Sequence, residues 1–208
     1  MPLTGVPRRS LAARAGFVTL LLGLLAGSAP AHAASPRPLG RWHGWLDVGR
    51  VDLDEEATQD WGVDREGYLA LSVSHGDDGR WYWGVELGHA KKGEATDGET
   101  GLIRDFDFGW IDLDQKWAFD LGHGWSADAG LGLAVFYVDG ERETILGSGE
   151  VFFSSLAGFG LGAQIVVDAS WRTGHLLLGA GVRYQWAYDI IDINHSNLRF
   201  GAHLGLVF

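Results

Sequence analysis

The sequence predicts an all-β fold, an eight-stranded antiparallel up-and-down transmembrane β-barrel preceded by a cleaved signal peptide, and three observations predict it. Apolar residues recur at period two almost from end to end after residue 34, with no sustained i, i+3, i+4, i+7 spacing. The alternating segments number eight, and long polar connections between them take turns with short ones. The first 33 residues, by contrast, carry a basic, apolar and small-residue succession found nowhere else in the chain.

Arg8, Arg9 and Arg14 precede the apolar run from Phe17 to Gly27, and Ala31 and Ala33 then offer small residues at the −3 and −1 positions of a cleavage site. The run is about half of the roughly 20 residues that a helix needs to cross a bilayer, so residues 1–33 read as a signal peptide and 34–208 as the barrel domain. Cleavage removes three arginines and no acid, taking the formal charge from −11 to −14. So acidic a chain lacks the cationic surface that nucleic-acid binding needs. With no cysteine, it has no disulfide framework, thiol nucleophile or cysteine-ligated zinc site. Its 32 glycines, ten tryptophans and ten phenylalanines are unlike the composition of disordered chains.

The first three strands are expected near 41–52, 67–75 and 80–90. The fourth, near 103–120, is less regular: Phe106, Phe108 and Trp110 share one parity, while Ile111, Leu113, Trp117 and Phe119 share the other. A bulge near Trp110 or Ile111 would reconcile them. In the fifth, near 124–139, Leu131, Leu133, Val135 and Tyr137 oppose Asp128, Gly130, Gly132 and Ala134. The sixth, near 152–169, sets Phe159, Leu161, Ile165 and Val167 against Gly158, Gly160, Gly162, Gln164 and Asp168. In the seventh, near 174–189, Leu176, Leu178, Val182 and Trp186 oppose Gly179, Gly181, Arg183 and Gln185. The eighth, near 197–208, sets Phe200, Leu204, Leu206 and Phe208 against Arg199, Gly201, His203 and Gly205. Long connections are expected at 53–66, 91–102, 140–151 and 190–196, and short turns at 76–79, 121–123 and 170–173. Tight turns at one end and longer loops at the other are the layout of bacterial outer-membrane barrels.

An eight-stranded interior is too narrow for the large side chains of the greasy face, so that face should meet lipid and the glycine-rich, charged face should line the inside. Aromatics gather toward both strand ends, Trp81, Trp83, Trp117, Phe119, Trp125 and Phe208 at one and Phe106, Phe108, Tyr137, Phe152, Phe153, Trp186 and Tyr188 at the other. Two girdles at the headgroup levels account for them.

The chain resembles the small eight-stranded outer-membrane β-barrel proteins, of the kind of the OmpA transmembrane domain and OmpX, over residues 41–208. The most specific part is the ending, where Phe208 follows Phe200, Leu204 and Leu206 at alternate positions. The resemblance implies that these four residues form the signal read by the barrel-assembly machinery. It further implies a bacterial outer-membrane location reached through the periplasm, with outer-membrane lipids including lipopolysaccharide as surroundings. It transfers no functional residues, because members of this group have unrelated activities.

The expected interior holds Asp47, Glu86, Asp112, Asp114, Asp128 and Asp168, with Lys116, Arg183, Arg199 and His203 as partners. Buried charges must pair or stay hydrated, so these residues read as a polar network plugging the barrel, Arg183 and Arg199 facing acids such as Asp128 and Asp168. A narrow cation-favouring pore is the alternative. A third reading is a lipid A-modifying hydrolase, suggested by Asn194-His195-Ser196-Asn197. The lipid A 3-O-deacylases use His-x-Ser-Asn, however, and here His195 and Ser196 are adjacent and would point to opposite faces of a strand. A structural or surface-interaction role through the long loops is therefore expected, without enzymatic activity. Asp52, Asp54, Glu55, Glu56, Asp60, Asp64 and Glu66 make the first loop acidic without the order of a calcium loop. His75, His89, His123 and His175 have no ligand spacing, so neither a metal nor a cofactor is expected.

Overall fold

A computed structural model of the chain describes residues 42–53, 65–76, 81–97, 101–146, 148–155, 157–188 and 196–208. The signal peptide expected at 1–33 and the acidic residues 54–64 lie outside the described residues. Nine strands follow in order: β1 (Trp42–Leu53), β2 (Arg65–His75), β3 (Trp81–Asp97), β4 (Gly101–Gly122), β5 (Trp125–Ile145), β6 (Val151–Ser155), β7 (Gly158–Thr173), β8 (Leu176–Tyr188) and β9 (Asn197–Val207).

Every neighbouring pair is antiparallel, and β1 pairs with β9 as well as with β2, which closes the sheet. β6 and β7 both pair with β5, β6 at its far end and β7 along the rest. They are two lengths of one stave, so the barrel has eight staves, as the alternation predicts. The sixth expected strand is thus described as two, β6 ending at Ser155 and β7 starting at Gly158.

The register corrects the irregular fourth strand. Pairing of β4 with β3 runs without interruption through Trp110↔Gly88 and Ile111↔Leu87. The shifts against β5 fall instead between Arg104 and Asp107 and between Asp120 and Gly122. No bulge is needed at Trp110, because both parities are genuine: Phe108 and Trp110 point inward with Asp112, Asp114 and Lys116, and Ile111 and Leu113 point outward. Phe108, expected in an aromatic girdle, is 1% exposed.

Two expected loops are also largely strand. Segment 91–102 continues the β3–β4 ladder as far as Asp97↔Gly101, and much of 140–151 continues β5 to Ile145 and opens β6. Backbone pairing outlasts the apolar alternation because a strand beyond the apolar band needs only a ladder partner. The tight turns after β4 and after β7 sit slightly later than their expected positions. Gly122, His123 and Gly124 all take positive φ between β4 and β5, and Gly174 does so between β7 and β8. Glycine tolerates that conformation without strain and fixes where each hairpin reverses.

Outside, Leu71, Leu87, Ile111, Leu131, Leu133 and Leu161 are among the exposed apolar residues of a band around the barrel. The rings of Trp81 and Trp117 meet at a tilt with centroids 3.9 Å apart near the tight-turn end, and those of Tyr137 and Phe159 at 5.0 Å toward the other. So much exposed leucine suits a bilayer rather than water.

Inside, glycines make room for the large side chains of neighbouring staves. A methyl group on Gly160 would land on the Phe136 ring, one on Gly88 on the Trp110 indole, and one on Gly181 on the Asp168 carboxylate. Gly160→Ala is therefore expected to cost about 1–3 kcal/mol through overpacking. Phe136→Leu in the same chain should return part of that loss, as read from unfolding midpoints. A Gly160→Ala barrel as stable as the parent would show that Phe136 has room to turn away.

Candidate functional site

The inward positions change character along the staves. On β4 they run from Phe108 and Trp110 to Asp112, Asp114 and Lys116 as the tight turn approaches; on β5 they run from Val138 and Phe136 to Asp128; on β2, from Tyr68 and Ala70 to Ser72 and Ser74. The interior is therefore layered. An apolar plug of Val51, Tyr68, Ala70, Ala90, Phe108, Trp110, Phe136 and Val138 fills the end toward the long connections. Within it Trp110 meets Tyr68 and Phe108 at centroid distances of 5.4 and 5.5 Å.

Below the plug comes the charged layer. Arg199 of β9 reaches across the barrel, its Nη1 lying 3.1 Å from Glu86 Oε1 of β3 and its Nη2 2.6 Å from Asp112 Oδ2 of β4. The same Nη2 donates to Gln164 Oε1 at 2.8 Å. Arg183 of β8 pairs with the other oxygen of Glu86 at 2.8 Å, so one carboxylate holds both arginines. That bridging is needed because Arg183 and Arg199 are cross-strand partners, and like charges directly opposite repel. The Arg199 guanidinium also lies 4.5 Å from the Trp110 ring centroid, joining the two layers by a cation–π contact.

Lys116 pairs with Asp168 at 2.7 Å, and His203 Nδ1 lies 3.4 Å from Asp47. The pairing of Arg183 and Arg199 thus differs from the expected one: their carboxylates are Glu86 and Asp112, while Asp168 belongs to Lys116. Sequence spacing gives no rotation of one stave about the barrel relative to another, so it ranked acids by proximity in the chain.

Six buried acids face three buried bases and two histidines among the described residues. Neutral donors supply what the bases do not. Trp110 Nε1 donates to Glu86 at 2.9 Å, Ser72 Oγ to Asp47 at 3.3 Å, Gln164 Nε2 to Asp114, and the Tyr82 hydroxyl bonds Asp128. Each of the six carboxylates consequently has at least one donor, as burial of an anion requires. Arg199, Glu86 and Asp112 are 1%, 1% and 0% exposed in their side chains, which leaves no wide water column at their level.

Trp110, Tyr82 and Asn197 are interior residues that sequence reasoning did not assign, whereas Gln164 and Gln185 were placed on the inward face without a part in the network. For Trp110 the signal was present: it shares parity with Asp112 and Asp114. Asn197 donates to Gln185 at 3.2 Å, extending the network toward the start of β9.

Ser196 is buried, its Oγ accepting the Ala187 backbone N–H at 3.3 Å, and His195 lies outside the described residues. The other histidines are dispersed. His75 stacks on Trp42, His89 lies 3.2 Å from Asp107, and His175 Nδ1 lies 2.9 Å from the Val207 carbonyl oxygen. Phe200, Leu204 and Leu206 form an outward row on β9, and the exposed Phe208 follows its last residue.

No protein-family model matches the sequence, and no curated protein does. Solved structures do. Neisserial surface protein A is similar with a TM-score of 0.58 and 16% identity, covering 80% of this chain and 97% of that one. The outer membrane protein OprG from Pseudomonas aeruginosa gives 0.59 and 11%, covering 83% and 97%. A major outer membrane protein from Thermus thermophilus gives 0.50 and 12%, covering 78% and 99%. The shared feature is the fold, a small closed eight-stranded antiparallel barrel.

Proposed function

We propose that the chain is a bacterial outer-membrane barrel protein with a structural or surface-interaction role, exerted beyond its long-connection end and without catalysis. The observation that carries this reading is the doubly closed interior: an aromatic plug stacked on a buried ion-pair layer gives solutes no route, so interaction is left to the outside. The exposed apolar band supports the membrane location, and the three similar proteins, two named as outer membrane proteins and one as a surface protein, support the cell envelope. Export by the signal peptide at 1–33, and recognition of Phe200, Leu204, Leu206 and Phe208 by the barrel-assembly machinery, complete the proposal.

The extended ladders favour a protein partner. All five residues of β6 are exposed, Phe152 and Phe153 among them, and among the described residues its ladder partner is β5 on one side. Exposed aromatic side chains of this kind are enriched where proteins meet one another. Bilayer conductance tests the closed interior: refolded mature protein is expected to be silent. A steady cation-selective current would replace this reading with the narrow pore.

A further inference from the structure

The cations of the charged layer are all engaged, and they do not reach every acid. Arg199 and Arg183 hold Glu86 and Asp112, Lys116 holds Asp168, and His203 faces Asp47. Asp114 and Asp128 are left with neutral partners, and those partners differ in kind. Asp114 meets the amide nitrogen of Gln164, whose oxygen already accepts from Arg199 Nη2. An amide nitrogen only donates, so this partner suits an ionised Asp114. Asp128 instead meets the Tyr82 hydroxyl, which accepts as readily as it donates.

Asp128 is also set against its own charge. The β5–β7 register places it directly opposite Asp168, where like charges repel. It is 3% exposed, and its Oδ1 is buried with no hydrogen-bond partner among the described residues. Of the six buried acids it alone combines a missing cation with an unpartnered oxygen. An anionic oxygen shut away like this costs far more than a neutral carbonyl left unpaired. Among the described residues no three acids or histidines converge as a metal ion would require, so the positive charge that fits is a proton.

We infer that Asp128 carries a proton in the folded barrel at neutral pH, as a carboxylic acid paired with Tyr82, and that its neutrality is what leaves Lys116 on Asp168. The Lys116 stem passes so closely over Gly130 of β5 that a methyl group there would lie 2.7 Å from its Cγ. Its Nζ then lies 2.7 Å from Asp168 Oδ2 and 5.9 Å from the centre of the Tyr82 ring. One ammonium thus stands over a row that holds two carboxyl groups. Loss of the Asp128 proton sets both of them competing for it, which makes this end of the layer a proton-operated latch. The other charged or titratable groups around the latch are Asp114 of β4, Arg183 of β8, His203 of β9 with its Asp47, and His43 beside Tyr82.

Infrared spectroscopy of the mature protein, refolded in a detergent without ester groups, tests this directly. At neutral pH the parent should show one carboxylic-acid C=O absorption, shifted in D2O and removed by alkaline titration. Asp128→Asn should lack it and should fold, because the amide has the shape of the protonated acid. Tyr82→Phe should keep the absorption at a shifted position. Asp168→Asn tests the latch: with the opposing group neutral, Lys116 turns to Asp128, and the absorption should vanish although Asp128 is present.

A parent without the absorption at neutral pH would overturn the inference. Its persistence in Asp128→Asn would do the same, by putting the proton on another acid. Persistence in Asp168→Asn would overturn the latch, since Lys116 would then keep its place whatever Asp128 carries.

Discussion

Arg199→Met should lower the unfolding free energy by about 3–5 kcal/mol, because it leaves the Asp112 carboxylate buried without a cation and Glu86 with Arg183 alone. Methionine keeps most of the side-chain volume, so the loss reports charge rather than a cavity. Adding Asp112→Asn to the same chain should recover much of it, since a neutral amide needs no counter-ion and Glu86 keeps Arg183 and Trp110 as partners. Urea unfolding of the single and double variants in one lipid measures both steps. An Arg199→Met barrel with the parent midpoint would show that water, and not Arg199, holds these carboxylates.

Phe136→Ala is the second large effect, again about 3–5 kcal/mol, from opening a cavity beside Phe108 where the parent ring is 1% exposed. Its electrical outcome separates the two interior layers. Water admitted through the gap still meets Arg183, Arg199, Glu86 and Asp112, so Phe136→Ala alone should remain silent in planar bilayers. Current should appear when Arg199→Met is combined with it. Current from Phe136→Ala alone would mean that the charged layer passes ions and that the plug is the barrier by itself.

The fold was legible because alternation is a local property: on β5, β7, β8 and β9 each residue's face can be counted from its neighbours. The same counting explains the one misreading on β4. Large aromatics were assumed to face lipid, so Phe108 and Trp110 called for a bulge, although their parity with Asp112 and Asp114 already placed them inside. What admits them is not local. Gly160 lies 24 residues from Phe136 and Gly88 lies 22 from Trp110, and only the register brings each ring over its glycine. The membership of the charged layer could be read from inward parity in the same way. Its pairings could not, because Arg199 meets Glu86 across the barrel at a separation of 113 residues. The extent of the ladders was hidden for another reason: beyond the apolar band no hydrophobic signal remains to mark a strand.

The sharing of Glu86 by Arg183 and Arg199 sets an order of events. Of the three buried bases, Lys116 alone precedes β8, whereas Asp47, Glu86, Asp112, Asp114, Asp128 and Asp168 all precede it in the chain. A nascent sheet ending at β7 therefore carries six inward carboxylates against a single cation, and such a surface holds water and resists curling shut. Arrival of the last hairpin supplies both arginines at once, together with the only edge that β1 can close upon. Discharge of the interior and completion of the wall are then one event, so a barrel stalled before its C-terminal hairpin stays open and wet rather than collapsing into a smaller ring.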